Sequence, residues 1–74
     1  MNEAIYQIRI QGKLDTHWAA WLGGLQIVAE SEQPPITLIT GALPDQAALR
    51  GVLNRVWDLN LTVVRVERVG VQVS

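Results

Sequence analysis

The stretch DTHWAAW, residues 15–21, gathers the only histidine of this chain and two of its three tryptophans. Asp15 two residues before His17 is the pairing in which a carboxylate orients an imidazole as general base, and Trp18 and Trp21 would wall such a site. The spacing argues against it. Asp15 or Thr16 suits the cap of a helix beginning here, and residues two apart on a helix do not face each other. No nucleophile stands nearby in the sequence. Trp18, Trp21, Leu22 and Leu25 follow at helical spacing, so the expectation is packing: two indoles covering a sheet, with His17 turned to solvent.

The remaining chemistry is sparse. There is no cysteine and one histidine, so neither a disulfide framework nor a nitrogen- or sulfur-rich metal site is expected, and no cofactor. Gly23, Gly24 and Gly41 form no phosphate loop. Asp45 begins a helical pattern where a carboxylate suits the positive end of the helix dipole. Gln46, beside it, answers no structural demand visible in the sequence. Trp57 lies at the margin of the apolar stripe of that helix, as partial filling of the helix–sheet edge or as an anchor for a partner chain. The candidate ligand or interface residues are therefore Asp15, His17, Trp21, Asp45, Gln46 and Trp57, with no residue assigned to catalysis.

These residues need a scaffold, and the patterning supplies one. Residues 4–11 alternate, with Tyr6, Ile8 and Ile10 on one face, as in a half-buried strand. A short helix follows, stopped by Gly23-Gly24. Residues 25–30 read as a second strand and SEQPP as its turn. Residues 36–40 read as a third strand and 41–44 as a loop. DQAALRGVLNRVWDLN, residues 45–60, repeats Leu49, Val52, Leu53, Val56 and Leu59 at helical spacing and ends on Asn60 as a left-handed cap. Gly51 inside it suggests close approach of helix to sheet. Residues 61–68 form a fourth strand, with Val64 and Val66 inward. The tail VGVQVS continues its alternation, paired within the chain, paired across a dimer or unpaired.

The order β-α-β-β-α-β is the split βαβ arrangement. It predicts one ferredoxin-like α+β domain over residues 1–74, an antiparallel sheet with both helices on one face and strands one and three central. The phases place Gln7, Arg9, Gln26, Val28, Glu30, Thr37, Ile39, Val63, Arg65 and Glu67 on the open face. An RNA-binding sheet of this topology stacks bases on aromatics of the central strands, and these strands offer none there. The net charge is −1 with six basic residues dispersed, so no nucleic-acid partner is expected. No apolar run approaches the ~20 residues of a membrane span, and the N-terminus lacks the apolar core of a secretion signal. A cytoplasmic protein with no membrane partner is the expectation.

The segments GKLDTHWAAWLGGL and DQAALRGVLNRVWDLNL resemble a widespread family of small uncharacterised bacterial proteins. Their shared patterns are G-x-L-x-x-x-W-x-x-W and DQAAL-x-G-x-L, covering residues 12–61. The resemblance implies a stand-alone small bacterial protein and transfers no catalytic residue. The family often has His at the position of Arg50 and Gly at the position of Asn60. Without a covalent staple, a chain of 74 residues buries only roughly 60% of its unfolded surface. Self-association is therefore expected, a homodimer first, in a non-enzymatic interaction or regulatory module with room for a protein partner. The alternative is a small-ligand binder or enzyme with a site between helices and sheet or at a dimer interface.

Overall fold

The computed structural model describes residues 2–73. Strands β1 (Asn2–Gln11), β2 (Gln26–Glu32), β3 (Pro35–Leu43) and β4 (Thr62–Val73) form one antiparallel sheet in the order β2-β3-β1-β4. β1 and β3 are central, as the patterning predicts. One α-helix, α1 (Gln46–Asp58), packs over β3 and β4 and so lies across β1. The tail that sequence left open pairs within the chain: Ile5 faces Gly70 and Asn2 faces Val73. Ser74 lies outside the described residues.

The ferredoxin-like β-α-β-β-α-β expectation is overturned. The first helix is a single 3-10 turn, Thr16–Ala19, so the fold is strand-rich, four antiparallel strands and one α-helix. Its brackets stand too close together. Asp15 caps one end. At the other, Gly23 (φ 91) and Gly24 (φ 81) donate to the carbonyls of Ala20 and Ala19, a Schellman closure. A helix so short cannot repay its nucleation. Leu22, fully buried, pins the turn to the core, and burial of a leucine contributes about 1.5–3 kcal/mol. α1 is longer and properly bounded. Asp45 Oδ1 accepts the Ala48 N–H at 2.8 Å, and Asn60 (φ 62) closes the far end with Leu61 donating back to the Val56 carbonyl.

Two strand phases also differ from expectation. Thr37 and Ile39 lie in the core and not on the open face. Ile36-Thr37-Leu38-Ile39 is apolar enough in either phase that alternation alone does not choose. The buried Thr37 hydroxyl is satisfied by donating to the Gly12 carbonyl at 2.7 Å. In β4, bulges leave Val64 and Val69 without partners on β1. The first bulge turns Val63, expected outside, against the core, and leaves Val64, expected inside, 55% exposed. The β2–β3 turn is two residues, Gln33-Pro34, shorter than SEQPP suggested.

The glycines separate into two cases. Gly41, expected in a loop, lies within β3 opposite Tyr6, where an added Cβ would fall onto the Leu25 side chain. Gly51 is exposed and an added Cβ there meets nothing, so close approach to the sheet does not explain it. Gly41→Ala should therefore lower stability by about 1–3 kcal/mol through overpacking. Gly51→Ala should raise it by about 0.5–1 kcal/mol through helix propensity. Urea unfolding of both variants checks the pair, and a stabilised Gly41→Ala protein would contradict the packing.

Candidate functional site

Asp15 and His17 do meet, against the expectation from helical spacing. Asp15 is a cap in extended backbone (φ −69, ψ 143), outside the turn it closes, so its side chain folds back over that turn. Its Oδ1 accepts the His17 backbone N–H and lies 3.1 Å from His17 Nδ1 as well. Both side chains are about two-thirds exposed, 66% for Asp15 and 65% for His17. Asp15 also stands at the rim of a recess of about 450 Å³ formed with Lys13, Leu14, Ile36 and Thr37, a recess that His17 does not line. His17 stacks beside Trp18 with ring centres 4.9 Å apart, and Trp18 meets Trp21 edge-on at 5.6 Å. From α1, Arg55 donates to the Trp21 carbonyl at 2.8 Å and sets its guanidinium 6.0 Å from the Trp21 ring centre. The DTHWAAW segment is thus a bracket between the turn and α1.

Asp45 and Gln46 lie at the other end of β1. Gln46 Nε2 donates to the Tyr6 hydroxyl at 2.7 Å, and Tyr6 is buried in the core. Sequence gave Gln46 no structural task; the structure gives it one, satisfying a buried phenol. Glu3, Tyr6, Asp45, Gln46, Arg68 and Val71 line a recess of about 450 Å³ there. The residues proposed for a ligand site are therefore divided. Asp15, His17 and Trp21 belong to one end, Asp45 and Gln46 to the other.

The open face carries a charge ladder that sequence reasoning did not assemble. Arg9, on central β1, reaches Glu30 of β2 at 2.7 Å and Glu67 of β4 at 3.0 Å, and Arg65 reaches Glu67 at 3.2 Å. With the phase of β3 inverted, Ile36 and Leu38 take the places expected of Thr37 and Ile39 on this face, beside Val28 and the charges.

Exposed apolar surface collects instead along β4. Among the described residues, the exposed large hydrophobics are Trp21, Val28, Trp57, Val64, Val66, Val69 and Val71, four of them β4 valines. Among the described residues β4 pairs only with β1, so the backbone groups of its other edge have no partner strand there. Trp57, 52% exposed, lies with Gln46, Leu49 and Leu53 on the flank of α1 opposite the Leu22–Gly23 turn, the flank whose Gln46 end meets Arg68 and Val71 of β4. The signal available in the sequence was the run TVVRVERVGVQV, which has no proline and no lysine to blunt an edge.

The family profile of a domain of unknown function (DUF8691) matches residues 5–67, and the chain belongs to that family. No curated protein and no solved structure matches it. Among the described residues, no helix is long and apolar enough to cross a membrane.

The Asp15 carboxyl is held below its ordinary value of 3.8, first by the His17 backbone N–H and then by the His17 side chain. A carboxyl lowered on folding stabilises the fold above its unfolded-state value, and that contribution is lost as pH falls through the folded value. NMR titration of Asp15 should give a midpoint below 3.8. A midpoint at or above it would remove the cap from this account.

Proposed function

We propose that this chain is a small cytoplasmic bacterial protein that acts by association, as a non-enzymatic interaction or regulatory module that forms a homodimer. The observation that carries the reading is β4, a twelve-residue strand at the sheet edge with Val64, Val66, Val69 and Val71 exposed. A long sheet edge offers unpaired backbone groups to a further strand, and between its two bulges β4 is regular. The open face is a weaker candidate, because its charges already satisfy one another. The ligand-binding alternative is disfavoured by the separation of its candidate residues to opposite ends of β1. A cytoplasmic setting accords with a chain free of cysteine, and the bacterial origin rests on the resemblance carried by the DQAAL-x-G-x-L helix.

Light scattering of the full chain should return the mass of a dimer. Trp57→Ala should raise the dimer dissociation constant about tenfold or more while moving the urea midpoint little, since a half-exposed tryptophan at an interface contributes upward of ~1–2 kcal/mol to binding. A monomer at high protein concentration would overturn the reading. Unchanged dimerisation in the variant would remove Trp57 from the interface.

A further inference from the structure

We infer that the occupant of the β4 edge is a second copy of this chain, in one register: β4 pairs antiparallel with its own copy about a two-fold axis through Val66. This inference rests on the self-association reading and specifies its geometry. In a two-fold antiparallel pair, each residue lies opposite its mirror position about the axis. Directly opposite side chains interact, and like charges there are destabilising. A centre on Arg65, Glu67 or Arg68 sets that charge against its own copy. A centre on Val64 or Val69 falls on a bulged residue, where the strand bends. A centre on Val66 places Arg65 opposite Glu67 of the copy and Glu67 opposite Arg65, two complementary pairs.

The local geometry favours the same centre. Between its two bulges, β4 runs regularly: Arg65, Val66, Glu67 and Arg68 face Arg9, Ile8, Gln7 and Tyr6. Val66 lies inside this regular stretch. Its side chain shares a face with that of Ile8, the face that α1 covers, yet it is 38% exposed because α1 does not reach over it fully. An axis through Val66 perpendicular to the sheet makes one continuous eight-stranded sheet with both helices on the same side. The two Val66 side chains then meet on that side, and the Trp57 flanks of the two helices turn toward each other across the axis. The β4 backbone over residues 62–70 is then paired, and the exposed Val64, Val66 and Val69 lie within the pairing.

The absence of cysteine makes the register readable by single substitutions. Val66→Cys, Val64→Cys and Arg68→Cys would each be made in the full chain, the fold checked by circular dichroism and the mass by light scattering. Each protein would then be treated with a bis-alkylating reagent short enough to join only directly opposite residues. A residue on the axis lies about 5 Å from its copy. A residue two positions off lies four residues along the strand from its copy, roughly 13 Å. The expected result is a dimeric mass for all three and covalent dimer for Val66→Cys alone. Covalent dimer at another position, or at none while the mass remains dimeric, would overturn the register but leave self-association standing. A monomeric wild-type chain would instead overturn the reading on which it rests.

Discussion

A single α-helix is asked to cover the apolar face of four strands, and most of the structure follows from that mismatch. Strands lie about 4.8 Å apart, so the sheet is roughly 15–20 Å wide, while a helix with its side chains is about 10–12 Å across. α1 seals β1 and reaches its neighbours β3 and β4. On the β2 side the shortfall is made good by the Trp18–Trp21 turn, pinned by Leu22 and tied to α1 by Arg55. On the β4 side nothing among the described residues performs that task, and Val66 and Val71 stay open to solvent.

The two sides therefore have different chemistry. The β2 side holds residues that look catalytic in one dimension, Asp15 and His17, but there they cap and stack in open solvent. The β4 side combines unpaired backbone, valines and an indole, with the recess of Glu3, Asp45 and Arg68 at one end. Arg9 reinforces the contrast. By bridging Glu30 and Glu67 it ties β2 to β4 across the open face, through contacts individually worth little in solvent. It leaves Arg65 and Glu67 at the edge, where their order along the strand defines a self-complementary pattern.

Much of this arrangement was legible in the sequence. The four strands, the central places of β1 and β3, the Asp45 cap and the Asn60 closure all follow from period, charge and turn chemistry. The first helix was misread because apolar spacing through Trp18, Trp21 and Leu22 says nothing of how many residues fit between Asp15 and Gly23. β3 was misphased because both of its faces carry apolar residues. The bulges at Val64 and Val69 shift the β4 phase; Gly70 adjoins the second, but no glycine or proline marks the first. Of the candidate residues, Trp57 lies beside the proposed interface, Asp15 and Trp21 serve the fold, and Gln46 is accounted for by Tyr6. The contacts of Gln46 and Arg9 span 40 and up to 58 residues of chain, and no local pattern foretells them.

Occupation of the free edge of β4 by another β4 would be visible in amide hydrogen exchange. Between Thr62 and Gly70, β4 amides that point away from β1 would be protected by a strand paired there. These amides should exchange slowly at high protein concentration and become fast on dilution, while the amides bonded to β1 stay protected throughout. Fast exchange of the outward amides at every concentration would contradict it.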